Sequence, residues 1–106
     1  MIKLGEKEHP IRLSNGAFTI YEDITGKDPW EALSNIKELK RPRSIQALVY
    51  GGIKMGYLYR EESCPLTFEE VGNLMDVRKL QEFLLVAMES LKVDGDVETE
   101  KKKTDI

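Results

Sequence analysis

The sequence predicts a mainly α-helical domain with a short N-terminal β element, a small single-domain bundle of about five helices. Three observations predict it. Apolar residues recur at helical spacing from Ala17 to Leu91, helix-start signals precede most of these stretches, and strand-like alternation is confined to residues 2–13. A chain of 106 residues supplies one hydrophobic core and leaves no room for a second.

Ile2 and Leu4 alternate with polar residues, Gly5 and Pro10 flank a charged stretch, and Ile11 and Leu13 alternate again. Two short strands in a hairpin fit this pattern, and such a hairpin needs helices to lean on because two strands alone are marginal. Ser14-Asn15-Gly16 then offers a helix start, with Ala17, Phe18, Tyr21 and Ile24 on one face and Gly26 placed to end it in a left-handed conformation. Asp28-Pro29-Trp30-Glu31 combines a cap, a first-position proline and an acid in the first turn. It starts a second helix, residues 29–39, that turns Trp30, Leu33, Ile36 and Leu39 inward and stops near Arg41-Pro42-Arg43.

A third helix is expected from Ser44 to Tyr59, with Ile45, Leu48, Val49, Gly52, Met55 and Tyr59 near one stripe. Gly51, Gly52 and Gly56 each cost a helix about 1 kcal/mol relative to alanine, so a bend or a frayed stretch is expected there. Thr67-Phe68-Glu69-Glu70 has the spacing of a capping box and starts a short helix carrying Phe68, Val71, Leu74 and Met75. Asp76 caps the last helix, Val77 to Val93, with Val77, Leu80, Leu84, Ala87, Met88 and Leu91 as its stripe, broadened by Phe83 and Leu85. Trp30, Leu33, Phe68, Leu80, Phe83 and Leu84 are the expected core. Residues 1–93 thus form the helical domain, and the charged residues 94–106 read as a disordered tail, too poor in apolar groups to offset the entropy of ordering them.

Composition narrows the function. A net charge of -3 gives no general attraction to nucleic acid or to an anionic membrane. One cysteine, Cys64, cannot form an internal disulfide, and the N-terminus lacks the apolar run of a secretory signal, so the cytoplasm is the expected compartment. No catalytic constellation emerges. His9 is the single histidine, set in a charged turn where it reads as a solvated residue without an orienting partner. Cys64 has no second cysteine at metal spacing. The carboxylate pairs Glu22/Asp23, Glu61/Glu62 and Glu69/Glu70 are sequence neighbours, pointing about 100° apart on a helix. No cofactor is expected, and the reading is of a non-enzymatic binding protein.

Candidate binding residues come from two features. Gly52 and Gly56, one turn apart, permit a close backbone approach, either by another part of this chain or by a partner helix. Met55, Met75 and Met88 offer adaptable contact surface or ordinary core filling. Lys37, Lys40, Arg41 and Arg43 form the one basic cluster, which a helix C-terminus explains through its dipole without any nucleic acid.

The run Phe18-Thr19-Ile20-Tyr21-Glu22-Asp23-Ile24-Thr25-Gly26, a short helix from Pro29, a third helix, then Leu66-Thr67-Phe68-Glu69-Glu70-Val71 and a final apolar helix together resemble the tail assembly chaperones of long-tailed phages. Related tail-region proteins of gene-transfer particles share the pattern, and the resemblance spans residues 2–93. Asp23 stands where the family more often has a second Glu, and Gly51-Gly52 departs from it. The resemblance implies a non-catalytic phage or prophage protein in the bacterial host cell. It would bind the tape-measure protein, keep it soluble and help tail-tube subunits assemble; a homo-oligomer is left open by the sequence. It also implies a longer product made by ribosomal slippage, for which codons at Lys101 to Lys103 can supply an A-rich run. A small helical bacterial regulator that binds DNA or a protein partner is the competing expectation.

Overall fold

The computed structural model describes residues 1–90, so the charged tail and the slippage site at Lys101–Lys103 lie outside the described residues. The architecture is mainly helical, with a two-stranded antiparallel sheet at the N-terminus. Strand β1 (Ile2–Leu4) pairs with β2 (Lys7–His9) in the register Ile2 to His9, Lys3 to Glu8 and Leu4 to Lys7. The second strand is therefore the charged stretch and not Ile11–Leu13. The reason is local. Gly5, at φ +64°, makes a two-residue turn with Glu6, and Pro10 ends the ladder because it has no N–H to offer.

Helix α1 (Asn15–Thr25) ends on Gly26, which takes the expected left-handed conformation at φ 70°. Its N-terminus differs from the expectation in detail, since Ser14 occupies the cap position without a side-chain hydrogen bond. The expected second helix is two, α2 (Pro29–Ser34) and α3 (Ile36–Leu39). Asp28 caps α2 by accepting from the Trp30 N–H. Asn35 then adopts an extended conformation that ends α2, and its side chain accepts from the Lys37 N–H to begin α3.

Helix α4 (Pro42–Tyr59) starts with proline in its first turn, two residues earlier than expected, and runs unbroken through all three glycines. Helix α5 (Phe68–Leu74) begins with the full capping box: Thr67 Oγ1 accepts from the Glu70 N–H at 3.1 Å, and Glu70 Oε1 accepts from the Thr67 N–H at 2.9 Å. Asp76 caps a single 3₁₀ turn, Val77–Lys79, and the last helix, α6, follows from residue 80 through residue 90.

The core forms where α1 crosses α4, with Ala17, Phe18 and Tyr21 of α1 against Ile45, Leu48, Val49 and Ile53 of α4. Ile2, Leu4 and Leu13 close one side, and Val71, Phe83, Leu84 and Ala87 close another. The Tyr21 hydroxyl, buried here, donates to Ser44 Oγ at 3.2 Å, so the one polar tip in this layer is satisfied. Trp30 is not in the core. It is 63% exposed, its ring tilted against Phe18 at 5.2 Å between centroids, because α2 turns Pro29 and Ala32 inward instead. Leu33, Phe68 and Leu80 are half-buried around the cluster.

Candidate functional site

The glycines of α4 seat the chain's own N-terminal segment. A Cβ on Gly56 would lie 2.6 Å from the Pro10 carbonyl carbon and 2.7 Å from its oxygen, and one on Gly52 would lie 2.7 Å from the Ile11 side chain. Gly51 has the same relation to α1, with the Ala17 carbonyl oxygen 2.8 Å from a Cβ position. This close approach lets the Arg12 N–H donate to the Gly52 carbonyl oxygen at 2.9 Å. Ser90 of α6 secures the same segment from the other side: its Oγ accepts from the Leu13 N–H at 3.3 Å and donates to the Ile11 carbonyl at 3.1 Å. The place held open by Gly52 and Gly56 is thus filled from within, by another part of this chain. It also accounts for the continuity of α4, since its bare backbone is covered by protein.

The three methionines are not brought together. Met75 is buried in the core, and Met88 is half-buried against it. Met55 lies against Gly16 and lines a recess of about 350 Å³ with Tyr50, Leu58, Cys64 and Leu66. Cys64 donates its thiol proton to the Leu66 carbonyl at 3.4 Å.

A larger concavity lies elsewhere. Between the hairpin on one side and the end of α5 with the start of α6 on the other runs a groove of about 470 Å³. Its apolar lining comes from Ile2, Leu74, Phe83 and Val86; Lys3, Asp76, Lys79 and Glu82 set mixed charge around it. Leu74 is 40% exposed at this groove, and Val77, in the turn that joins the two helices, is 72% exposed. The sequence reading assigned both to buried helix faces. The 3₁₀ turn decides otherwise, because its tighter winding rotates Val77 off the stripe that α6 presents to the core. Nothing in the spacing alone distinguishes an α-helical first turn from this one. Asp76 is held below the usual carboxylate range by the Arg78 guanidinium and N–H that it accepts from, and Arg78 is raised in turn by Asp76.

His9 departs furthest from its expectation. It is 4% exposed, and its Nδ1 lies 2.6 Å from the Tyr57 hydroxyl on α4. Burial holds the imidazole below its ordinary pKa of 6.5, and the Lys7 ammonium two residues away adds to the effect. Burial raises the Tyr57 phenol, with Cys64 and Glu62 adding to the rise. The residue is placed there by strand alternation: opposite Ile2 in the ladder, it shares the inward face of the sheet.

In the basic cluster, Arg41 pairs with Glu38 at 3.4 Å. Arg43 donates to the Ile24 carbonyl at 3.3 Å and lies over the Phe68 ring. Among the described residues no group of three or more His, Cys, Asp or Glu side chains is placed to hold a metal, and no helix is long and apolar enough to cross a membrane. Compared with protein-family models, with curated proteins and with solved structures, the chain matches none.

Proposed function

We propose that this chain is a non-catalytic tail assembly chaperone of a phage or prophage, acting in the cytoplasm of the bacterial host. In this reading it binds the tape-measure protein, keeps it soluble, and aids assembly of tail-tube subunits. The observation that supports it is the groove between the hairpin and the α5–α6 junction, where Ile2, Leu74, Phe83 and Val86 line a recess together with Lys3, Asp76, Lys79 and Glu82, and where Leu74 is exposed. Its volume takes a few apolar side chains, which is what one face of an amphipathic helix presents, and the charges around it suit the polar flanks of such a helix. The choice of a tape-measure protein as that helix rests on the sequence resemblance. The basic cluster adds little support to the alternative, a DNA-binding regulator, because Arg41 and Arg43 are engaged within the fold.

The test is co-expression with the tape-measure protein of the same genome, followed by capture on this chain. Wild type retains the long partner in the soluble fraction, and a Leu74→Asp/Val86→Asp variant that still folds loses it. Equal capture by both proteins overturns the groove assignment. Failure of the wild type to capture, together with saturable, salt-sensitive binding to duplex DNA, overturns the chaperone reading in favour of the regulator.

A further inference from the structure

The hairpin is both a wall of the groove and the least self-sufficient part of the fold. Two strands of three residues each do not hold together unaided, so the sheet depends on what its inward face touches. That face carries Ile2, Leu4 and His9, and its polar tie to α4 is the His9–Tyr57 hydrogen bond. With a neutral ring protonated on Nε2, the Tyr57 hydroxyl donates to Nδ1 and the pair is satisfied. Adding a proton to Nδ1 turns the acceptor into a donor. The phenol hydrogen must then turn away, and a cation is left in a site only 4% exposed.

The surrounding charges do not compensate. On β2, Lys7 shares the ring's side of the strand and opposes its protonation, whereas Glu8 faces the other way, opposite Lys3 of β1, and both are exposed. At the end of α4 and beyond it, Arg60, Glu62 and Cys64 act on the Tyr57 hydroxyl. The Met1 side chain accepts from Arg60, which adds a further positive group near the start of β1. The charge that adds to the effect of burial on the imidazole, Lys7, is therefore of the same sign as its protonated form.

We propose that His9 is an acid-sensitive latch: protonating its imidazole releases the β1–β2 hairpin from the end of α4 and so opens one wall of the groove. The remainder of the core, built on α1, α4 and α6, does not pass through this contact and stays folded. The latch is independent of what the groove binds.

Amide hydrogen exchange on the full chain tests it, with protection factors corrected for the intrinsic pH dependence of exchange. In the released state His9 titrates near its ordinary 6.5, so each pH unit below that value favours release by up to about tenfold. Between about pH 7.5 and about pH 5.5, protection of the Leu4, Lys7 and His9 amides should therefore fall by up to about tenfold, while that of Leu48 and Ile53 stays level. In His9→Gln, which keeps a polar group facing Tyr57 but does not titrate, the hairpin amides should lose this pH dependence. Should that variant not fold, the His9 ring protons of the wild type report directly: they should titrate in step with the loss of hairpin protection. Hairpin protection that follows the core at both pH values, an unchanged acid response in His9→Gln, or a ring titration uncoupled from hairpin exchange each overturns the proposal.

Discussion

Replacing Gly56 with alanine sets two effects of similar size against each other. Helix propensity favours alanine in the interior of α4 by about 1 kcal/mol. Against it stands the Pro10–Ile11 backbone, whose carbonyl carbon, carbonyl oxygen and next amide nitrogen lie 2.6, 2.7 and 2.9 Å from where the new methyl must go. These are backbone atoms in a segment held by the Arg12–Gly52 and Ser90 hydrogen bonds, so they cannot swing aside as a side-chain tip would. Overpacking of this kind costs typically about 1–3 kcal/mol, and lifting the segment also exposes part of Leu13. The difference of these two leaves Gly56→Ala less stable than wild type by up to about 2 kcal/mol, and the exposure of Leu13 moves the expected loss to about 1–2 kcal/mol. With a urea dependence of about 1–3 kcal/mol per molar, a loss of about 1–2 kcal/mol lowers the midpoint by roughly 0.3–2 M. Gly16→Ala is the control. Its methyl meets only the Met55 thioether, which can move, so its midpoint should match or exceed that of wild type. A Gly56→Ala midpoint at or above the wild-type value would show that propensity decides and would refute the seating of Pro10–Leu13 on α4.

Thr67→Ala should lose about 0.5–2 kcal/mol and Glu70→Ala less, with the double variant less destabilised than the sum, since each change removes one half of the same reciprocal cap; strict additivity in a thermodynamic cycle would count against the box. Leu84→Ala, at a site 5% exposed, should cost about 2–5 kcal/mol, whereas Trp30→Ala, at a site 63% exposed, should cost about 1 kcal/mol or less; chemical denaturation that reverses this order would contradict the placement of α2. Global stability should also respond to His9. Its folded pKa lies below the unfolded value of 6.5, so the unfolded chain binds the proton more readily in the interval between them. The stability due to this group is complete above pH 6.5 and declines as the pH falls through the folded value, so the gap between wild type and His9→Gln should narrow on acidification; denaturant midpoints measured across that range check it.

The sequence by itself determined the element types and most of their order, because capping, proline placement and apolar period are local physics. Asp28-Pro29, Thr67-x-x-Glu70, Asp76 and Gly26 mark helix ends through contacts within four residues, and the structure uses each of them. It determined equally that Phe83 and Leu84 lie inside, since their stripe is long enough to fix a face. The split of the second helix is local too, though the apolar period hides it: the Asn35 side chain caps one short helix, from two residues away, just where another ends. Two matters were decided only by tertiary structure. The glycines of α4 look from the sequence like a weakness or an opening to a partner. They serve instead as a seat for Pro10–Leu13, a segment about forty residues away in the chain. His9 reads as solvated because its neighbours are charged, yet strand pairing turns its ring inward to Tyr57, 48 residues distant. For the glycines and for His9 the deciding contact joins residues that no local pattern connects, so the period and the caps were legible while the occupant of each surface was not.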